Sequence, residues 1–181
     1  IAAALAAAKC KPTDISGLAI GGQLDGCIGV NHQGNAIGPA IIWMDKRAAN
    51  SLEGINRKVI GERTGIVLDA SHMAAKIRWS QTNLAGASNC AVWHQPTSFM
   101  VERLTGSRVI DPCLASTSMV YGLYSQSWDA DLLRLFGIEE TSLPLISPTT
   151  SIAGYLTDVG AVLSGLPVGL GEPYFDSVES A

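Results

Sequence analysis

Charge is scarce in this chain, and basic charge scarcer still. Only 15% of the 181 residues are Asp, Glu, Lys or Arg, and the formal net charge is -4. Lys9 and Lys11 flank Cys10, Lys46-Arg47 is an isolated pair, and no basic run occurs anywhere. The electrostatic footprint that draws a protein to phosphate backbones or anionic lipid is therefore missing, and neither nucleic acid nor membrane is expected as a partner. No apolar run approaches the ~18 residues of a membrane-spanning helix. Cysteine is sparse and scattered: Cys10, Cys27, Cys90 and Cys113 form no C-x-x-C pair and have no His at ligand spacing. That argues against a zinc site or a redox dithiol. Without a signal peptide to favour disulfides, reduced and mostly buried thiols in a cytoplasmic protein are expected.

What is plentiful is apolar surface. Hydrophobic residues make up 47% of the chain, enough to bury a real core in one domain and to exclude disorder. The alanine-rich start, residues 1–9, reads as the end of a helix stopped by Lys11-Pro12. Because the chain opens at Ile1 in mid-pattern, a longer parent is expected. Residues 15–20 and 27–30 read as buried strands, and residues 31–35 as a turn in which Gly34 supplies positive φ. Residues 40–43 then return as a strand, and Asp45 is placed to cap a helix running through Arg57. Helices are predicted at 73–79, 96–104, 128–136 and 157–163, with a short strand at 90–93. Gly106, Gly137 and Gly165 stand at helix C-termini, and Asp129 or Ser127 and Thr157 at N-caps. Strands early and helices later indicate α/β or α+β with a mixed sheet.

The stretch AIGGQLDGCIGV, residues 19–30, places Gln23, Leu24 and Asp25 between two apolar runs. Asp25-Gly26 suits a tight turn, yet an amide and a carboxylate at a strand end also suit a ligand site in an α/β sheet. Spacing alone leaves both open. The three histidines read as turn (His32), cap (His72) and surface (His94) residues, and Lys76 as a structural ion-pair partner. Met73, Trp79, Phe99 and Leu104 read as core.

Several words taken together resemble the amino-terminal domain of FGGY-family carbohydrate kinases, the group of xylulokinase, glycerol kinase and ribulokinase. Residues 14–48, DISGLAIGGQLDGCIGVNHQGNAIGPAIIWMDKRA, are similar to the family's strand, Gly-Gln-x-x-Gly turn, hairpin and Trp-x-Asp-x-Arg. AAKIRW (74–79) resembles its Pro-Lys-Leu-Leu-Trp helix, and TSFMVERLTGSRVIDPCLAST (97–117) its Arg-Leu-Thr-Gly and Asp-x-x-x-Ala-Ser words. Residues 128–146 and 152–167 follow two further family segments in order.

The resemblance implies an incomplete RNase H-like, actin-type α/β domain, a mixed sheet flanked by helices, spanning residues 1–168 with an irregular tail at 169–181. It implies the sugar-binding half of an enzyme that moves the ATP γ-phosphate to a hydroxyl of a ketose or polyol, with ATP and Mg²⁺ held mainly by a second domain. Where this chain has Gln23-Leu24-Asp25, relatives have Gln-Arg-Glu or Gln-Met-His, whose last two positions touch substrate. By resemblance, Asp25 accepts hydrogen bonds from sugar hydroxyls, Leu24 packs beside them, Trp43 walls the pocket and Asp111 borders it. The tail VGLGEPYFDSVESA departs from the family's Gly-x-x-Asp context, and Asp176 comes closest in type to its catalytic carboxylate. A phosphate-contacting Asp-x-Gly-Thr/Ser hairpin is absent from this stretch, so the fragment by itself is expected to be inactive. The other function class left open is a non-catalytic sugar-binding module or kinase remnant. A homodimer is compatible with either.

Overall fold

A computed structural model describes residues 1–173. Its centre is the strand β1 (Ile28–Val30), which is flanked on both sides. On one side it pairs antiparallel with β2 (Val92–His94) in the register Ile28↔His94, Gly29↔Trp93 and Val30↔Val92. On the other it meets the returning chain through the bridges Val30↔Ala36 and Cys27↔Ile41. The turn between is the expected one: Asn31 N–H donates to Asn35 O, Gly34 N–H to Asn31 O, and Gly34 has φ 76°. A strand caught between two neighbours leaves little room for side chains. A Cβ at Gly29 would lie 2.7 Å from the Trp93 ring and 2.8 Å from Ile37.

Helices supply most of the remaining mass: α1 (Ala2–Ala8), α2 (Arg57–Thr64), α3 (Met73–Asn83), α4 (Pro96–Thr105), α5 (Pro112–Ser116), α6 (Ala130–Phe136) and α7 (Asp158–Ser164). Their ends follow the sequence closely. Asn56, Asp111, Asp129 and Thr157 accept backbone N–H groups at the N-termini of α2, α5, α6 and α7. Gly65, Gly106, Gly137 and Gly165 close α2, α4, α6 and α7 in the left-handed conformation. The other strands form short pairs: β3 (Val109–Ile110) parallel with β6 (Leu145–Ile146), β4 (Tyr121–Gly122) antiparallel with β5 (Ser127–Trp128), and β7 (Ile152–Tyr155) antiparallel with β8 (Gly171–Pro173). Parallel and antiparallel pairing thus coexist, as a mixed α/β architecture requires.

Three apolar clusters hold the layers together, one of them Ile28, Val30 and Val92 within the β1–β2 pair. Of the other two, the larger joins Ile60, Met73, Ile77, Trp93, Val101, Ile110, Leu114, Leu132 and Phe136, drawn from α2–α6 and the strands between them. The smaller gathers Leu104, Leu156 and Leu166, with Leu5, Ile15, Leu18 and Ile20 packed against it. At their junction α7 crosses α4 in direct backbone contact: Thr157 N–H and Oγ1 both donate to Leu104 O, and Gly160 faces that same carbonyl.

Four expectations are corrected here. Residues 15–20 form no named strand: Gly17 alone is in a β-bridge, and Ile15, Leu18 and Ile20 are half-buried against the smaller apolar cluster described above. Residues 40–43 contribute a single bridge at Ile41 before turning. Asp45 caps no α-helix; its carboxylate turns onto Arg47, and only a 3₁₀ turn at Ala49–Leu52 precedes α2, which Asn56 caps. His94 is a core residue with no exposed surface, not a surface one. Its Nδ1 lies 3.0 Å from Ser98 Oγ and its Nε2 2.5 Å from Glu102, whose other oxygen accepts from Arg108. No disulfide forms among the described residues: Cys27 is buried, Cys90 and Cys113 are half-buried and Cys10 is exposed.

Two outcomes follow. A Cβ on Gly160 would sit 2.0 Å from Leu104 O, which is backbone and cannot step aside. Gly160→Ala should therefore cost about 3 kcal/mol and lower Tm by roughly 6–12 °C in calorimetry. Burial pushes the His94 imidazole below its ordinary value, with its Glu102 partner opposing the shift. Burial would raise Glu102, but its bonds from His94 and Arg108 outweigh this and hold it down. The unfolded chain then binds the His94 proton more readily than the folded one. Stability from this group is present above the unfolded imidazole pKa of about 6.5 and lost on acidification below it. Thermal melts should show Tm falling between about pH 7 and pH 5, with a flatter profile in His94→Asn.

Candidate functional site

The Gln23–Gly26 segment sits where the centre of the sheet meets the N-terminal ends of α3 and α4. Its glycines have a definite role. A Cβ at Gly22 would lie 2.7 Å from Thr97 Oγ1, and one at Gly26 2.6 Å from the Pro96 ring. They make room for the start of α4, so the segment is pinned from beneath by protein. Gln95, fully buried, completes the pinning: its Oε1 accepts the Asp25 N–H at 3.0 Å, while its Nε2 donates to Leu114 O at 2.7 Å. One amide thus ties the segment to the end of β2 and to α5.

Asp25 itself has φ 59°, a left-handed backbone that few side chains other than Asn and Asp tolerate. It is a turn residue and a candidate ligand at once. The turn is held from the other side by Lys76, whose ammonium donates to the carbonyl oxygens of Asp25 and Ser71. Lys76 has no exposed surface, and burial pushes its ammonium below the ordinary value while the Asp25 charge opposes that shift. It is therefore a clamp on two backbone carbonyls, not the ion-pair partner its sequence position implies.

The Asp25 carboxylate is oriented by a residue the sequence reading set aside. His72 Nδ1 lies 3.1 Å from Asp25 Oδ2, with both side chains largely covered, at 16% and 13% exposure. His72 occupies the N-cap position of α3 but makes no capping bond with its side chain. The second carboxylate oxygen, Oδ1, is buried and accepts nothing from the described residues. The loop carrying His72 is itself fastened: Asp69 accepts from Ser71 N–H, Ser71 Oγ and Lys46. These bonds, with Lys46 first, hold the Asp69 carboxyl well below the usual carboxylate range.

Trp43 closes the group. The Cys27↔Ile41 bridge puts Asp25 and Trp43 at the same end of the hairpin, two residues beyond the pair on each arm. The Trp43 side chain is 51% exposed, flanked by the exposed Ile42 and Met44, so it is no core residue. Behind it Asp45 accepts from Arg47 N–H at 3.0 Å and from Arg47 Nε at 2.8 Å, and the Arg47 guanidinium lies 5.2 Å from the centre of the Trp79 ring. The Arg47 bonds hold Asp45 below its usual value. The structure thus brings Asp25 and Trp43 to one end of the sheet, with Gln23 exposed and Leu24 half-buried against the core. Asp111 differs: it is completely buried, and its Oδ1 caps α5 through Leu114 N–H at 2.9 Å. Asp176 lies outside the described residues.

His72, Gln95 and Lys76 were not legible as parts of a site. A lysine within the apolar run Met73-Ala74-Ala75-Lys76-Ile77 was the one available sign, since a charge on a buried face needs acceptors nearby. Among the described residues, no group of three or more His, Cys, Asp or Glu is placed to hold a metal ion. No helix there is long and apolar enough to cross a membrane.

Comparison with known proteins identifies the family of the chain. The model of the FGGY family of carbohydrate kinases, N-terminal domain, matches residues 1–171. A glycerol kinase from Thermococcus onnurineus (strain NA1) is 33% identical over 163 residues, covering 86% of this chain and 33% of the relative. A glycerol kinase from Paracidovorax citrulli is 33% identical over 178 residues, covering 92% of this chain and 35% of the relative. Among solved structures, a xylulose kinase from Rhodospirillum rubrum superimposes with TM-score 0.82 at 26% identity, over 90% of this chain and 34% of that one. A glycerol kinase from Plasmodium falciparum with ADP gives TM-score 0.84 at 19% identity, over 97% of this chain and 37% of that one. The chain spans about a third of the length of these relatives. It belongs to the FGGY family of carbohydrate kinases, of which it carries the amino-terminal domain.

Proposed function

We propose that this chain is the sugar- or polyol-binding half of an ATP-dependent carbohydrate kinase, with residues 1–168 as its body and Asp25 as the carboxylate that grips a hydroxyl of the acceptor. The observation that carries this reading is the Asp25 carboxylate. Its backbone is fixed in a left-handed turn by Gln95 and Lys76, one oxygen is oriented by His72, and the other accepts no bond from the described residues. A polar group denied water and protein partners is costly unless a ligand satisfies it. A polyol hydroxyl supplies the missing donor, and the exposed face of Trp43 at the same sheet end offers a surface for its C–H groups.

Phosphoryl transfer asks little covalent chemistry of the protein; it asks that the attacking hydroxyl be aimed and that phosphate charge be neutralised. This chain's residues account for the aiming. ATP, and the Mg²⁺ that neutralises its phosphates, are assigned to the longer enzyme, and no step through them is built on this chain.

Calorimetric titration of this chain with ketoses and polyols, glycerol and xylulose first, should show saturable binding. Asp25→Ala should weaken it at least tenfold with an unchanged circular dichroism spectrum. Unchanged affinity in that variant rules Asp25 out as the ligand. Trp43→Ala should weaken binding by a smaller factor. A full-length protein carrying this chain that binds sugar but shows no sugar-stimulated ATP consumption would point to the non-catalytic module instead.

A further inference from the structure

The His72 ring is placed to do more than hold Asp25. A carboxylate oxygen only accepts, so the nitrogen 3.1 Å from it, Nδ1, carries the hydrogen. That fixes the ring's role on its far side. In the neutral imidazole Nε2 is then an acceptor, and in the imidazolium a donor; a hydroxyl satisfies either. Nε2 has no partner among the described residues, although the ring is anchored at both its backbone and Nδ1. The backbone anchors are His72 N–H to Asp69 O, and Lys76 to the preceding carbonyl of Ser71. A histidine positioned this firmly offers a second polar point beside the unpartnered Asp25 Oδ1, on the far side of the Nδ1–Oδ2 bond.

We infer that His72 is a substrate-recognition residue: its Nε2, which points away from the carboxylate held by Nδ1, hydrogen-bonds a second hydroxyl of the acceptor, separate from the one taken by Asp25. The inference rests on the proposed binding role of Asp25 and adds a requirement on the ligand. The acceptor must carry one hydroxyl for the carboxylate and a second for the imidazole, which selects polyols and ketoses over their deoxy counterparts. The carboxylate and imidazole act as a unit because the Nδ1–Oδ2 bond sets the attitude of both. A site built to bond a hydroxyl rejects the analogue lacking it, since the protein's polar group is then left unsatisfied.

The test is the pairing of two substitutions with ligands that lack single hydroxyls. His72→Asn keeps a donor near the position of Nδ1, and so the hold on Asp25, but cannot reach as far as Nε2. His72→Phe removes both. The probes are glycerol and xylulose, each with its monodeoxy analogues, titrated calorimetrically into this chain, with circular dichroism to establish folding. For wild type, one deoxy analogue should bind about tenfold or more weakly than its parent because it lacks the hydroxyl read by Nε2. In both variants the preference over that analogue should collapse toward unity. His72→Asn should still discriminate against the analogue lacking the hydroxyl read by Asp25. Equal weakening of parent and analogue in both variants would show a merely structural His72 and overturn the inference, as would an unchanged preference. Loss of all discrimination in Asp25→Ala with none in the histidine variants would leave the Asp25 reading intact and remove His72 alone. If wild type binds none of these probes, the inference falls together with the reading beneath it.

Discussion

One buried charge governs the functional end of this molecule. The Lys76 ammonium has no exposed surface and is bound by two backbone carbonyls, those of Asp25 and Ser71. A cation withdrawn from water is stable only where oriented dipoles or counter-charges replace its hydration. Here the two carbonyls and the nearby Asp25 carboxylate do so. Because the carbonyls belong to different loops, satisfying the charge also fixes the two loops relative to each other. The left-handed turn at Asp25, the reach of His72 and the pinning by Gln95 all presuppose that arrangement.

The scaffold around it is organised to deliver loops to that point. Asp25 lies three residues before β1, the hairpin returns Trp43 to the same end, and β2 leads directly into Gln95 and α4. α3 begins at His72 and holds Lys76 one turn further on. Four segments distant in sequence therefore meet through backbone hydrogen bonds and helix starts. The packing that keeps them there is close, as shown by the bare glycines at positions 22, 26 and 29.

Local features were legible because their causes are local. Asp129 and Thr157 cap helices, and Gly106, Gly137 and Gly165 end them, as the order of residue types required. The hairpin turn at Gly34 followed from its composition. Residues 15–20 misled because an apolar run signals burial, and whether burial comes with a ladder depends on a neighbour elsewhere in the chain. Asp45 misled for a related reason: a carboxylate that suits a cap can turn instead onto an arginine two residues away. Polar residues in the interior were the hardest. Nothing near His94 or Gln95 in sequence announces that their partners are Glu102 on the next turns of α4, or Leu114 on α5.

The sequence by itself determined the family pattern, the positions of α3, α4, α6 and α7, the hairpin and the prominence of Asp25 and Trp43, because each is written in periodicity, capping chemistry or a short word. Only the tertiary structure decided what surrounds Asp25. It turned Lys76 from an ion-pair partner into a carbonyl clamp, drew His72 from a helix cap to a carboxylate, and gave Asp111 to a helix end. The reason is physical. The partner of a buried polar group is chosen by which loops packing brings within hydrogen-bond reach, and that choice is made between residues far apart in the chain.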